Sequence, residues 1–185
     1  MKKPRLFFLI LIMLVTTLTL TSCNNIITTN SFTESSEAKD EMKQIYKYLK
    51  NQKTKELKNL FCEKADWLND LNTEIEGAYE FFDGEIVSHG DIDPYSEGES
   101  WRHFKMTRYS TSVEILEAET DAGTEYVIQA GIYTVNEEHP EKVGVTFIAI
   151  RNWSAYESAV ELYGEDEVDP NDDEYRYLIG VNSVE

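Results

Sequence analysis

Tyr79-Glu80-Phe81-Phe82-Asp83-Gly84-Glu85-Ile86-Val87-Ser88 is the stretch at which the hydrophobic period of this 185-residue chain changes. Before it, Leu71, Ile75, Ala78, Tyr79 and Phe82 recur at intervals of four, three, one and three, the repeat of one helical face. Gly84 then stands where a helix C-terminal cap belongs. Further upstream, Met42, Ile45 and Leu49 share a face of a first helix, and Leu57, Leu60 and Phe61 share that of a second, with Thr54 as its N-cap.

Downstream of Gly84 the pattern is that of strands. A short segment at Glu85 to Gly90 is followed by a long one from Trp101 to about Glu117, rich in aromatic and β-branched residues. Glu125 to Val135 alternates, and Lys142 to Trp153 is apolar on both faces. A last strand, Tyr175 to Val181, follows the acidic loop Gly164 to Glu174, and Ser154 to Tyr163 reads as a helical turn or an edge extension. Three helices followed by about five strands predict an α+β domain, with the helices packed on one face of an antiparallel sheet.

The N-terminus has a different purpose. Lys2, Lys3 and Arg5 precede an apolar run from Leu6 to Val15 that continues, diluted by threonines, to Leu20. A spanning helix needs about 20 predominantly apolar residues, and this run is shorter. It is the layout of a signal peptide, residues 1–22, that is removed on export. Leu20-Thr21-Ser22-Cys23 matches a bacterial lipobox, in which the Cys23 thiol takes a diacylglyceryl group and holds the protein to the outer face of a cell membrane. Residues 23–37, polar and without periodicity, predict a flexible tether, whose 14 residues after Cys23 reach roughly 20 Å as random coil. The folded domain is then 38–185.

Removal of the leader changes the charge. Seventeen Lys plus Arg less Lys2, Lys3 and Arg5 leaves 14 against 35 Asp plus Glu, a net charge near −21. Neither nucleic acid, which needs clustered cations, nor docking on anionic lipid through a polybasic patch fits such a surface. With Cys23 lipidated, Cys62 is the remaining thiol, so no internal disulfide forms; among Leu57, Leu60 and Phe61 it reads as a small buried hydrophobe.

The helical pair, the third helix ending at Gly84, the Glu85-Ile86-Val87-Ser88 strand and the long hairpins resemble the nuclear transport factor 2-like cone fold. The lipobox, Leu57 to Ala65, Phe82-Asp83-Gly84-Glu85-Ile86 and Phe147-Ile148-Ala149-Ile150-Arg151 further resemble a family of Gram-positive lipoproteins whose domain has no assigned function. The resemblance covers residues 38 to 185. It implies a curved sheet and helices enclosing a pocket, homodimer formation through the open sheet face, and no family activity to carry over.

Enzymes built on that cone, such as ketosteroid isomerase and scytalone dehydratase, place an acid or base inside the pocket. Tyr79, Asp83, His89, His103, Lys105 and Tyr133 are the residues here able to do so. Alternation puts Trp101, His103 and Lys105 on one strand face, either a pocket wall or the solvent side of an edge strand. Tyr79 and Tyr133 read as core aromatics whose hydroxyls reach the rim. Tyr79, Trp101, His103 and Tyr133 are therefore the candidate pocket lining. The acidic run 165–174 supplies oxygen ligands but lacks calcium-loop spacing, and Cys62, His89, His103 and His139 have no zinc spacing. No metal or cofactor is expected. The expected function is binding of a small molecule, peptide or protein without transforming it. Proton-transfer chemistry in the pocket, or a purely structural protein with a filled core, are the alternatives.

Overall fold

A computed structural model describes residues 33–169 and 171–180. The signal peptide, Cys23 and residues 24–32 of the tether lie outside the described residues. Helix α1 covers 33–50, so residues 33–37, read as tether, are helical. Ala38, Met42, Ile45 and Leu49 are all buried along one face; the small Ala38 extends the apolar stripe one turn upstream of the period read from the sequence.

Helices α2 (Thr54–Lys58), α3 (Glu63–Leu68) and α4 (Leu71–Phe81) complete the helical layer. Two expectations need correction here. Thr54 is the first residue of α2, and the capping position belongs to Lys53, which makes no side-chain cap. The second helix also stops before Leu60 and Phe61. Phe61 instead pairs with Val145 as a parallel bridge. Cys62 N donates to Val145 O at 2.8 Å and Val145 N donates to Leu60 O at 2.9 Å. Backbone groups committed to a strand cannot also serve a helix. The approach is close enough that a Cβ on Gly144, at φ +117°, would meet Leu60 O at 2.9 Å. The two-turn α3 was not foreseen.

Helix α4 keeps the buried face read from the sequence but ends at Phe81, with Phe82, in extended conformation, at the C-cap in place of Gly84, which follows at φ +98°. Asp70 caps it, accepting from Thr73 N at 3.4 Å and Thr73 Oγ1 at 2.9 Å, and Leu71, Ile75 and Ala78 are buried. At its other end the Tyr126 hydroxyl accepts from Asp83 N at 2.8 Å and donates to Phe81 O at 3.3 Å. These two bonds satisfy backbone groups that a helix end leaves open.

Among the described residues six strands form one open antiparallel sheet: β1 (Ile86–Ser88), β2 (Ile92–Arg102), β3 (Lys105–Thr120), β4 (Glu125–Asn136), β5 (Gly144–Asn152) and β6 (Arg176–Gly180). Their order is β1-β3-β4-β5-β6, with β2 also paired to β3. The single strand expected from Trp101 to Glu117 is thus the end of β2, a turn and most of β3. His103 and Phe104 form that turn with φ of 50° and 64°, the positive pair that a tight hairpin requires. Strand β2 opens with Ile92, Asp93 and Pro94, paired with Ile115, Glu114 and Val113. Its Pro94 is tolerated because β2 has one neighbour only, and Asp93, Glu97 and Glu99 along it discourage pairing with another chain.

One face of the sheet packs on the helices. Val113, Ile115 and Ala118 of β3, Tyr126, Ile128, Ala130 and Ile132 of β4, Val145, Ile148 and Ile150 of β5 and Ile179 of β6 join the α1 to α4 side chains in one apolar cluster. Each large aliphatic side chain buried there contributes about 1.5–3 kcal/mol relative to exposure. Gly180 N donates to Glu74 Oε2 at 2.8 Å, which ties β6 to α4. The segment Ser154 to Tyr163, read as a helical turn or an edge extension, belongs to the helix α5 (Trp153–Tyr163), whose buried residue is Ala159.

Candidate functional site

The four residues expected to line a pocket lie on α4, β2, the β2–β3 turn and β4. Tyr79 lies on α4 and borders a recess of about 230 Å³ with Leu49, Lys50, Gln52, Phe82 and Ile86. Trp101, next to last in β2, is half-buried, its indole Nε1 out of solvent contact and without a hydrogen-bond partner among the described residues. His103 is exposed at the hairpin tip, where its positive φ removes it from the strand alternation that had placed it beside Trp101. Tyr133 follows the core residue Ile132 on β4 and takes the opposite face.

The other titratable candidates are engaged locally. Asp83 Oδ2 accepts from Thr124 Oγ1 at 3.3 Å, Lys105 pairs with Glu137, and the His89 ring packs edge-on against Tyr46 with centroids 4.3 Å apart. Cys62 is buried in the core, and burial pushes its thiol up, away from the reactive thiolate. Burial likewise pushes the Tyr79 hydroxyl up.

Two carboxylates of the acidic loop bond within the loop itself. Asp169 Oδ1 accepts from Asn171 N at 2.8 Å and from Asn171 Nδ2 at 3.1 Å, and Asp172 Oδ1 accepts from Glu174 N at 3.2 Å, the bonding of Asx turns. Among the described residues no group of three or more His, Cys, Asp and Glu side chains is arranged to hold a metal ion. No helix among them is long and apolar enough to cross a membrane.

A cleft of about 400 Å³ lies along α5, between Trp153, Tyr156, Glu157, Val160, Glu161 and Glu165. Local sequence builds it. Asn152 caps the helix, its side chain accepting from Ala155 N at 2.9 Å, and Gly164, at φ +92°, ends it with its N–H on Val160 O at 2.9 Å. Between these caps, Trp153, Tyr156 and Val160 fall on one face at intervals of three and four. The Trp153 and Tyr156 rings lie 5.2 Å apart, and Tyr175, just before β6, meets Tyr156 edge-on at 6.2 Å.

The charges around this wall are arranged against the helix's own stability. Glu157 and Glu161 are like charges one turn apart, and Glu161 sits in the last turn, where a cation is favoured. None of Glu157, Glu161 and Glu165 forms an ion pair or hydrogen bond with a described residue. An aromatic wall rimmed by free carboxylates suits a cation carried on an apolar body, because ring faces and carboxylates both attract positive charge. Sequence reasoning missed this cleft, although Asn152, the Trp153-Tyr156-Val160 spacing and Gly164 were its signals.

A search of curated proteins finds no match. The family model described as Domain of unknown function (DUF5104) matches residues 44–158, from α1 through β5 into α5 and including Trp153 and Tyr156. The match spans more than half of the chain, which therefore belongs to the DUF5104 family.

Proposed function

We propose that the protein is an extracytoplasmic lipoprotein, held to a cell membrane by a diacylglyceryl group on Cys23, and that its domain is a binding module whose α5 cleft takes a basic peptide segment. The leader and the Leu20-Thr21-Ser22-Cys23 lipobox support the location. The order of helices before an antiparallel sheet supports a nuclear transport factor 2-like fold. The observation that carries the binding reading is the cleft itself, three unpaired carboxylates around Trp153 and Tyr156.

The ligand class follows from size and charge. A lysine or arginine stem packs on the rings while its head reaches the carboxylates. A net charge of −18 for the whole chain also speeds the approach of a basic partner.

The test is calorimetric titration of the full chain in detergent with a lysine- and leucine-containing peptide and with the same peptide acetylated on its lysines. Binding is expected for the first and not for the second. The pair Glu161→Gln and Glu165→Gln is expected to weaken it at least about tenfold, the equivalent of 1.4 kcal/mol, while Glu63→Gln, a charge change on α3, leaves it unchanged. Equal weakening by Glu63→Gln would mean that the attraction is diffuse and that the cleft is not the site. Retention of a Cys23→Ser variant in the membrane fraction would refute the anchor.

A further inference from the structure

Arg151, near the end of β5, and Arg176, the first residue of β6, are direct cross-strand partners. Directly opposed residues of an antiparallel pair have Cβ atoms about 4.5–5.5 Å apart, and like charges in that position repel. Both side chains are half-buried, and the Nε of each is out of solvent contact with no hydrogen-bond partner.

Their surroundings do not neutralise them. Arg151 Nη2 reaches Gln129 Oε1 at 3.5 Å, and Arg176 Nη1 reaches Asn171 Oδ1 at 3.3 Å. Both partners are uncharged amides, and Val127 stands directly across β4 from Arg151. Neither arginine forms an ion pair with a described residue, in a chain that carries 35 Asp plus Glu. The better exposed Lys43, Arg102 and Lys105 each have a carboxylate partner. Carboxylates are abundant and the half-buried pair is left without one.

We propose that Arg151 and Arg176 form a binding site for an oxyanion, a carboxylate or phosphate group bridging the two guanidinium groups. A guanidinium presents a planar fork that matches either group through two parallel hydrogen bonds. One bridging anion replaces the repulsion of two cations by two attractions. It also supplies charged acceptors to guanidinium groups whose side-chain partners are the amide oxygens of Gln129 and Asn171. The site lies opposite the helical layer, since Ile150 and Ile179, their neighbours in sequence or on the same strand, belong to the core face.

The experiment is thermal unfolding of the full chain in detergent, at fixed ionic strength, with inorganic phosphate or malonate as the probe. At about ten times the dissociation constant, the melting temperature of the natural chain is expected to rise by about 3–6 °C. Arg176→Gln is expected to abolish the rise while leaving the anion-free melting temperature equal or higher, because the repulsion is gone. Arg176→Lys keeps the charge but not the fork and is expected to cut the rise by at least half, and Arg102→Gln on the distant hairpin is expected to leave it intact. A rise with phosphate alone assigns the site to phosphate groups, and one with malonate alone to carboxylates. No rise with either, or an undiminished rise in both Arg176 variants, would overturn the proposal.

Discussion

Glu41→Gln is expected to stabilise the protein at neutral pH, although it removes a native charge. Glu41 lies on α1, three residues from Ala38 and four from Ile45, so it borders the buried stripe of that helix. Burial pushes its carboxyl from 4.5 up to about 7, and the Glu37 charge one turn away adds to the effect. At 1.36 kcal/mol per pH unit this difference corresponds to about 3 kcal/mol. Partial solvent contact screens the charge, and about 1–2 kcal/mol is the working figure. The folded chain binds this proton more tightly than the unfolded chain, so stability is lost as pH rises from 4.5 to about 7 and stays lost above it. Gln carries no such penalty. Thermal unfolding of the natural chain and the variant between pH 4 and pH 8 should show equal melting temperatures near pH 4 and a variant about 2–8 °C higher at pH 8. The comparison isolates Glu41, because every other carboxylate is common to both chains. A difference that does not change with pH, or one that favours the natural chain at pH 8, would refute the reasoning. Glu37→Gln should act in the same direction and more weakly.

Two further changes probe the fold that positions the cleft. Tyr126→Phe removes the hydroxyl that serves Asp83 N and Phe81 O, and urea unfolding should show a loss of about 1–3 kcal/mol from the donor left unsatisfied; an unchanged midpoint would mean that water replaces the bond. Gly131→Ala would drive a methyl group into the Phe147 ring and to 2.9 Å from Thr146 Oγ1, so a cost of about 1–3 kcal/mol in the same assay is expected, and a neutral result would show that Phe147 can move aside.

The parts of the fold legible in the sequence are those where burial forces a pattern. Strands β4 and β5 are central in the sheet, so Ile128, Ala130, Ile148 and Ile150 must be apolar, and α4 has one face on the core and two recognisable ends. The strand β2 was not legible because an edge strand needs no apolar run: Asp93, Pro94, Glu97, Gly98 and Glu99 compose it, and the hydrogen bonds come from β3 alone. The second helix was read too long because Leu60 and Phe61 are apolar for a different reason, contact with β5 through a parallel bridge. Trp101, His103 and Lys105 share one face only if Trp101 to Glu117 is a single strand, and that segment is two strands and a turn, whereas Tyr79 and Tyr133 lie on α4 and β4. The α5 cleft was readable in principle, from Asn152, Trp153, Tyr156, Val160 and Gly164, once that segment is taken as a full helix.

The position of the two proposed sites follows from where the core is full. Met42, Ile45, Leu57, Leu71 and Ile75 from the helices and Ile115, Ile128 and Ile148 from the sheet are all fully buried and belong to one apolar cluster. Both proposed sites lie outside that layer, on α5 and on the opposite face of β5 and β6. These are not separate regions. Arg151 and Trp153 are joined through the helix cap Asn152, and Tyr175, whose ring meets Tyr156 at 6.2 Å, is bonded directly to Arg176. Asn152 N also donates to Tyr175 O at 2.8 Å, which closes the two connections into one ring of contacts. Any shift of β6 along β5 must therefore move a guanidinium and an aromatic wall together. Linkage requires that whatever factor an anion at the arginines imposes on peptide affinity, the peptide imposes on the anion, so titrating either ligand in the presence of the other measures how rigid that ring is.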